Sequence, residues 1–348
     1  MIEYVGAIHI HSTYSDGSGT VDEIIKTAQE VGLDYIVLTD HNTLRAKNNG
    51  KEGWHGDTFL LVGAEINDKQ NLNHYLALGI EKTFSTRIAA KEYVAKVKEK
   101  GGIGFLAHPN EERSSMKEHP PYPWTEWDTE DFTGIEIWNH MSEWMEGLNE
   151  SNKYNYFVHP LKSIISPPKK TLKIWDELNQ KRKVVGIGGI DAHAHKLNIM
   201  GFFEVEVFPY KTLFKSIRTH LLCNTNLNKS NNGFEFVQDR TEILNTLKSG
   251  RLFISNYCGD AKGFRFFAQD STGIYQMGDV LEFNPNIKLR VILPNISATI
   301  KLIKNGNLIE ELENIDAEFN VETSGAYRVE VYIDGKAWIY SNHIRIGL

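Results

Sequence analysis

The sequence lacks the features that mark disulfide-bonded, membrane-spanning or nucleic-acid-binding proteins. Only two cysteines occur in 348 residues, so it contains neither a disulfide framework nor a Cys-x-x-Cys zinc motif. No apolar run reaches the roughly 18 residues that a transmembrane helix needs, and no basic segment precedes a long apolar stretch near residue 1, so we expect no signal peptide. The net charge of -7 argues against a general nucleic-acid binder. We therefore expect a soluble, cytoplasmic protein that acts on a small molecule, with any metal site built from histidines and carboxylates.

Up to about residue 220, short apolar runs alternate with amphipathic segments. The run 35–38 is typical of a strand buried on both faces. Thr20 and Glu23 form a capping-box pattern that starts a helix, and Ser85 is placed to cap another. The βαβα order predicts an α/β fold, a parallel sheet closed into a distorted seven-stranded (β/α) barrel of TIM-like form. We predict strands at 5–10, 35–39, 59–65, 74–79, 103–107, 134–138 and 184–190, and further helices at 143–156, 171–181, 210–220 and 238–249.

After residue 236 the pattern changes to short alternating segments separated by turns. Asn305-Gly306 and Asp334-Gly335 are two such turns. Alternation of this kind predicts a small antiparallel β-sandwich of Ig-like form. We therefore divide the chain into a barrel at 1–222, a linker and helix at 223–258, and a β-sandwich accessory domain at 259–348.

Imidazole and carboxylate groups follow the ends of most predicted barrel strands, where the active sites of such barrels lie. His9 and His11 are two residues apart on one strand, so both should project from the same face. Without a cation, such a cluster would cost on the order of several kcal/mol per buried charge. Histidine with carboxylate and no thiolate suits zinc, manganese or iron, without separating them. The candidate metal ligands are His9, His11, Asp16, His41, Glu65, His74, His108, Asp191 and His193.

These motifs resemble those of the polymerase and histidinol phosphatase (PHP) family, over about residues 5–220. The matching stretches are 9–16, 39–41, 107–109 and 191–193, with Glu65 and His74 between them. The resemblance implies a three-metal site. In it, one ion would be held by His9, His11, Glu65 and Asp191; a second by Glu65, His74 and His108; and a third by Asp16, His41 and His193.

Four later motifs resemble the carbaryl-hydrolase-like branch of that family, in which a PHP barrel precedes a small β-sandwich. They are Arg218-Thr219-His220, Ser249-Gly250-Arg251, Gly263-Phe264 and Ser341-Asn342-His343. That branch includes enzymes that act on carbamate or amide bonds.

Metal-assisted hydrolysis is the function that this ligand set favours. A metal-bound hydroxide would be the nucleophile, with Asp191, His193 and Glu65 at the catalytic centre and three divalent ions as cofactors. We expect a phosphoesterase acting on a small phosphorylated metabolite or nucleotide. The alternatives are a carbamate, amide or ester hydrolase, a non-catalytic metal-binding module with a partner-binding β-sandwich, and an amidohydrolase barrel.

Polar residues beyond the strand ends are candidates for binding an anionic substrate. They are Arg45, Asn139, His195, Lys196, Arg218 and His220, with Arg113, His140 and His159 as further candidates. Arg218 and His220 equally suit a salt bridge at a helix end. Asp40 suits either the orientation of a ligating imidazole or the capping of a turn. In the loop 109–128, Trp124 and Trp127 would either stack on substrate or form the core of a lid.

Overall fold

Short buried strands separated by helices make up residues 2–213, and longer strands in succession make up most of the rest. The computed structural model describes residues 1–113, 120–199 and 203–348, with side chains apart from those of residues 153, 196–199 and 203–205. The first strands are β1 (Ile2–Ile10), β2 (Tyr35–Leu38), β3 (Gly53–His55), β4 (Thr58–Val62), β5 (Ala64–Ile66), β6 (Tyr75–Leu78), β7 (Ile103–Leu106), β8 (Gly134–Asn139), β9 (Val185–Gly189), β10 (Lys196–Ile199), β11 (Phe203–Glu206) and β12 (Ile217–Cys223).

The remaining strands follow one long helix. They are β13 (Leu252–Asn256), β14 (Arg265–Gln269), β15 (Ile274–Gln276), β16 (Val280–Leu281), β17 (Lys288–Ile292), β18 (Ala298–Lys304), β19 (Asn307–Asn314), β20 (Asp316–Asn320), β21 (Gly325–Ile333), β22 (Lys336–Ser341) and β23 (Ile344–Ile346). The helices are α1 (Val21–Val31), α2 (Arg45–Asn48), α3 (Ala90–Glu99), α4 (His140–Gly147), α5 (Lys153–Val158), α6 (Lys169–Lys181), α7 (Tyr210–Leu213) and α8 (Gly233–Ser249), with a 3-10 turn at Pro160–Ser163.

Hydrogen bonds join the strands of the N-terminal half into a ring. β1, β2 and β4 are parallel neighbours, as are β7, β8 and β9. The Ile190 amide donates to the Ile8 carbonyl at 3.0 Å, which brings the end of β9 to β1. β4 and β5 are consecutive segments separated by Gly63. The α/β fold is confirmed, while the exact strand count of the barrel stays a prediction.

One strand of the ring runs against the expected direction. β6 is antiparallel to both β5 and β7, so the prediction of a wholly parallel sheet is wrong at this strand. The connection between β5 and β6, residues 67–74, is eight residues long, which is too short for a helical crossover. The beginning of β6 therefore lies at the edge of the ring where the neighbouring strands end.

Some helix boundaries agree with those predicted from the sequence, and others differ. The capping box at Thr20 is confirmed, because the Glu23 amide donates to Thr20 Oγ1 and the Glu23 carboxylate accepts from the Thr20 amide. Ser85 does not cap α3, which begins after Ala89. The predicted helix at 143–156 is two helices, α4 and α5. The predicted helix at 210–220 is wrong beyond Leu213, because β12 forms there by pairing along β1.

The sheet continues from the ring into the C-terminal region. β12 pairs with β1, β13 with β12, and β22 with β13, all antiparallel. A second sheet, β15-β14-β17-β20, lies against β16-β23-β21-β22 and β18. Fully buried side chains such as Phe266, Leu289, Val329 and Trp338 form the core between them. A large sheet-rich C-terminal region is thereby confirmed. The division at 222 and 258 stays a prediction.

A buried polar network joins the C-terminal strands to the ring. The side-chain amide of Asn342 donates from Nδ2 to the Gly186 carbonyl at 2.8 Å and accepts at Oδ1 from the Gly186 backbone amide at 2.7 Å. It therefore pairs with β9 as a strand would. Beside it, Arg328 on β21 binds both oxygens of Asp176 on α6, at 2.7 and 2.9 Å. His343 contacts the same carboxylate at 2.7 Å. Within the described residues, no helix has both the length and the apolarity needed to cross a membrane.

Candidate metal centre

His9 and His11 point to the same place, but not by simple strand alternation. The register between β1 and β2 shifts between Ile8 and Ile10, so His9 lies in a bulge with φ of 71°. His11 follows the end of the strand. Nε2 of each histidine lies 3.2 Å from Glu65 Oε2 and 3.4 Å from Asp191 Oδ1. The four residues that the family resemblance assigns to the first ion thus converge.

Glu65 lies at the centre of the cluster and faces it with both oxygens. Its Oε2 contacts His9, His11 and also His41 Nδ1, at 3.3 Å. Its Oε1 lies 2.8 Å from His74 Nδ1 and 3.3 Å from His108 Nε2. Glu65 is 1% exposed, so these contacts are made away from solvent. A carboxylate with neighbours on both oxygens is placed to bridge two ions.

The reversal of β6 explains the place of His74. This histidine comes before a strand, whereas the other candidates follow one. Because β6 runs antiparallel to its neighbours, its first residue lies at the edge where β5 and β7 present Glu65 and His108. His74 therefore reaches the same cluster from the opposite chain direction.

Asp16 forms a more open group with three histidines. Its carboxylate lies 3.3 Å from His193 Nε2, 3.6 Å from His11 Nδ1 and 3.6 Å from His41 Nε2. The Asp16 side chain is 52% exposed, in contrast to Glu65. His11 and His41 thus border both this group and the Glu65 group. The structure brings all nine candidate ligands together.

The spacing of these atoms fits shared cations better than hydrogen bonds. Two ligands that each lie about 2.1 Å from one ion stand roughly 3.0–3.4 Å apart, and most of the contacts at Glu65 and Asp191 fall in or near that range. Nε2 of His9 and of His11 is buried without a hydrogen-bond partner among the described residues. Buried imidazole nitrogens without a partner are costly unless something is bound to them. The residues present therefore suit divalent ions.

Glu136 is a functional residue that the sequence interpretation missed. Its carboxylate lies 2.9 Å from His9 Nδ1 and accepts from the His108 amide at 2.7 Å. Such a contact fixes the ring of a ligating histidine and directs Nε2 toward the ion. A Cβ on Gly189 would lie 1.6 Å from Glu136 Oε1, so only glycine fits beside it. The sequence carries one indication of this role, which is that Glu136 is a charged residue inside the otherwise buried strand β8.

Three of the candidate ligands have a strained backbone. His9, His108 and Asp191 have φ of 71°, 27° and 51°, a region that residues other than glycine seldom adopt. Conformations of this kind cost on the order of 1–3 kcal/mol each and persist only where the surroundings enforce them. The surrounding fold thus holds three ligands in place at a cost in stability.

The charges in the cluster are strongly coupled. Burial disfavours protonation of His11 and His108, but nearby carboxylates outweigh it and raise the pKa of each to about 9. Burial dominates at His41, whose pKa falls to about 4. Burial would raise the pKa of Glu65 and of Asp191, but the surrounding imidazoles hold both well below the usual range. The two acids are therefore anionic, as metal ligands must be.

Asp40 stabilises a turn, which is one of the two roles predicted for it. Its carboxylate accepts from the Ser12 amide, the Ser12 hydroxyl and the Ser15 hydroxyl, each at 2.7 Å. None of the hydrogen bonds that Asp40 accepts within the described residues comes from an imidazole. Asp40 thus holds the turn that carries Asp16 toward the cluster.

The cluster forms the floor of a cavity of about 430 Å³. Of the predicted substrate residues, His195 lines it, and its ring stacks on His193 at 5.0 Å between centroids. Arg113 also lines it, paired with Glu111. Asn139 is instead buried as the N-cap of α4 and donates to Glu136. The side chain of Lys196 lies outside the described part of the chain.

Three other predicted substrate residues lie away from this cavity. Arg45 stacks on Tyr14, 5.1 Å from its ring centroid. Arg218 and His220 lie on β12 and line a different cavity, near the beginning of β2. His220 is held there between Glu3 and Ser255. The structure therefore separates these residues from the candidate metal centre.

The aromatic residues of the 109–128 loop divide between core and cavity. Trp124 is 2% exposed and packs near Tyr75, as the core of a lid would, while Trp127 is partly exposed. Tyr122, which the sequence interpretation passed over, stacks on His74 with ring centroids 5.1 Å apart. Residues 114–119 of this loop lie outside the described residues. His140 is fully buried beside Phe208, and His159 is exposed.

Comparison with known proteins agrees with the geometry of the site. The family model for the PHP domain matches residues 7–237, about two thirds of the chain. The chain belongs to the PHP domain family. The match covers every candidate ligand, so the cluster described above is the cluster of a PHP domain. The carbaryl-hydrolase-like branch is not tested by this match and stays a prediction.

Individual relatives of this PHP-domain protein are distant. An uncharacterized protein of Methanocaldococcus jannaschii is 29% identical over 122 residues, which are 29% of this chain and 66% of that protein. The phosphoribosyl 1,2-cyclic phosphate 1,2-diphosphodiesterase of Eggerthella lenta is 29% identical over 80 residues, 22% of this chain and 30% of that enzyme. The chain thus spans less than two thirds of the length of either relative.

A solved structure from Bacteroides vulgatus covers nearly the whole chain. It is a two-domain protein containing a predicted PHP-like metal-dependent phosphoesterase. The alignment covers 98% of this chain and 95% of that one, with 15% identity and a TM-score of 0.42.

Proposed function

We propose that the protein is a metal-dependent hydrolase, specifically a phosphoesterase that uses up to three divalent ions. The observation that carries the proposal is the convergence of nine imidazoles and carboxylates in one cluster, seven of which line the cavity, with Glu65 shared between groups. Four sets of these residues have ligand atoms close enough to hold an ion. Membership of the PHP domain family and the phosphodiesterase relative support the same reaction.

The proposed division of labour is the one that the family resemblance implies. The first ion would be held by His9, His11, Glu65 and Asp191; the second by Glu65, His74 and His108; the third by Asp16, His41 and His193. Divalent ions in such a site supply an activated water nucleophile and positive charge for a phosphoryl oxygen.

The chain itself contributes orientation and charge around the substrate. Glu136 fixes the ring of His9, and Asp40 fixes the turn that carries Asp16. Arg113 lines the cavity, where its guanidinium pairs with Glu111 and would lie near an anionic oxygen of the substrate. Among the described residues that line the cavity there is no lysine, which an amidohydrolase-type carbamylated bridge would require.

Metal analysis and hydrolysis test the proposal together. Protein purified without chelator should contain two to three ions of zinc, manganese or iron per chain, and should hydrolyse phosphate esters in preference to matched carbamates and carboxyl esters. His11→Ala should lose both the ions and the activity. The matched control is His55→Gln, because the His55 ring bonds to the Lys51 carbonyl and lies on β3, which carries no candidate ligand. Metal-free protein that no added ion activates would overturn the proposal.

A further inference from the structure

One side of the cavity above the candidate metal centre is apolar. Its residues come from the two helices after β8 and from the segment after β11. We call them the apolar wall: Met141, Trp144, Met145, Phe157, Val207 and Phe208. The lining also includes four polar or charged residues: Asn71, Arg113, Tyr122 and His195. The cavity therefore combines a charged floor, polar residues and the apolar wall.

The aromatic side chains of the apolar wall pack against one another. The ring centroids of Trp144 and Phe208 lie 4.5 Å apart, and those of Trp144 and Phe157 lie 5.1 Å apart. Trp144 and Phe208 are 2% and 5% exposed, whereas Phe157 is 40% exposed and forms the outer edge. The wall thus extends from the protein interior to solvent along one side of the cavity.

The wall offers almost nothing to a polar ligand. The indole N–H of Trp144 is its one strong side-chain donor, and it already donates to the Tyr156 carbonyl. A sugar placed there would leave its hydroxyls without partners, which is unfavourable. An apolar group would instead exchange water for carbon contacts, which is favourable.

The wall is continuous with the metal centre on two sides. α4, which carries Met141, begins directly where β8 ends, and β8 supplies the Glu136 that contacts His9. On the other side the Val207 amide donates to the His195 carbonyl at 2.7 Å, and His195 stacks on His193. A substrate whose reacting group lies over the ions would therefore place its remaining part against this wall.

We infer that the substrates are phosphate esters of apolar alcohols, with an aryl, cycloalkyl or branched alkyl group that packs against the apolar wall. The inference rests on the proposed function and narrows it, since it disfavours sugar phosphates and nucleotides. The cavity volume falls within the range of sites that hold small organic ligands. Arg113 and the ions would hold the phosphoryl group, while the wall would select the alcohol.

Two esters with similar leaving groups test the selection. Cyclohexylmethyl phosphate and glycerol 1-phosphate both release primary alcohols, so their kcat/KM ratio in metal-loaded protein reports on the alcohol site. We expect the apolar ester to be preferred by at least about tenfold, since burial of an apolar group gives discrimination of that size. Equal rates, or a preference for glycerol 1-phosphate, would overturn the inference.

A pair of variants on one helix locates the effect. Phe157→Ser should lower kcat/KM for the apolar ester about tenfold and leave glycerol 1-phosphate nearly unchanged. Tyr154→Ser is the matched control, because Tyr154 lies on the same helix, is 79% exposed and does not line the cavity. It should change neither rate. An equal loss for both esters in Phe157→Ser would count against the wall.

Binding of phosphonates separates the inference from the proposed function. Calorimetry should show cyclohexylmethylphosphonate binding more tightly than methylphosphonate, and Phe157→Ser should remove the difference. If no phosphate ester is hydrolysed but this difference is found, the phosphoesterase proposal fails and the apolar site stands. If both phosphonates bind alike, the apolar site fails whatever the activity.

Discussion

Two buried clusters of acids and bases in this protein are built from similar residues and arranged differently. In the cluster around Asp176, Arg328 and His343 contact the carboxylate at 2.7 to 2.9 Å, and Arg328 also binds Glu330 at 2.7 Å. In the candidate metal centre, most imidazole–carboxylate distances are 3.2 to 3.6 Å. In the first cluster the charged groups lie within hydrogen-bonding distance of one another. The second leaves room between its ligand atoms. The distance between opposite charges therefore distinguishes a structural ion pair from a site for ions.

The backbone shows the same contrast. Arg328 and Asp176 lie on a regular strand and a regular helix, whereas His9, His108 and Asp191 have positive φ. Strain is tolerated where it places a ligand and is absent where a salt bridge forms between regular elements. The comparison can be tested by removing one partner from each cluster.

The largest expected effect is on stability at the Asp176 cluster. Arg328→Met leaves two buried carboxylates without their cation and should lower the free energy of unfolding by about 3–5 kcal/mol. Urea denaturation measures the loss. The control is Arg290→Met, which breaks the exposed pair with Glu318 and should cost no more than about 1 kcal/mol. Similar losses in the two variants would contradict the assignment of the Asp176 cluster as a structural pair.

At the metal centre, the removal of one charge should affect metal binding and activity. Glu65→Gln removes the carboxylate that faces the other groups with both oxygens, so bound metal should fall by at least one ion per chain. Hydrolysis should fall at least about a hundredfold. Elemental analysis and initial rates measure both. Glu92→Gln, on an exposed helix face, is the control, and a Glu65→Gln variant with full metal content would rule out a bridging role.

A smaller effect is expected one contact away from the ions. Glu136→Gln keeps the shape of the side chain but weakens its hold on His9, so metal affinity should fall about 10–100-fold. Titration of metal-free protein with zinc or manganese measures the change. A loss as large as that of Glu65→Gln would mean that Glu136 itself binds an ion.

The smallest effect concerns Glu143, a partly buried carboxylate that forms no ion pair among the described residues. Burial raises the pKa of Glu143 to about 7, although hydrogen bonds from Trp138 and the backbone amides of Ile165 and Ser166 oppose the shift. The folded state therefore binds the proton more tightly than the unfolded chain. Its contribution to stability is present below about pH 4.5 and is lost as the pH rises toward 7, by at most about 1.4 kcal/mol per pH unit.

Chemical denaturation across that pH range tests the assignment. Glu143→Gln cannot titrate, so its stability should decline less between pH 4.5 and 7 than that of the wild type. Parallel curves for the two proteins would show that Glu143 ionises normally. Unlike Asp176, this carboxylate should be stabilised by protonation rather than by pairing.

The ligands could be predicted from sequence because their signal is local. A histidine or an acid directly after a buried run, as at His108 and Asp191, needs only the knowledge that strands end at one edge of a barrel. The bulge at His9 and the reversal of β6 could not be predicted, because both depend on how distant strands pair. His9 and His11 thus lie together, as predicted, but because of the bulge rather than because of strand alternation.

The apolar wall escaped prediction for another reason. Met141, Trp144 and Met145 recur at i, i+3 and i+4, the spacing that also marks a helix face packed on a core. Sequence cannot tell a core from a cavity when both are apolar. For Arg218 and His220 the sequence left a site role and a salt bridge open, and the structure pairs His220 with Glu3 on β1, away from the cavity.

The pairing of Asn342 with Gly186 has a consequence for how the protein is made. β9, which leads to Asp191, is completed by a side chain 156 residues later in the chain. β1, which carries His9, is likewise flanked by β12, from beyond residue 216. Contacts over such distances make folding slow. During synthesis on the ribosome, β1 and β9 therefore emerge before β12 and Asn342 are available to pair with them.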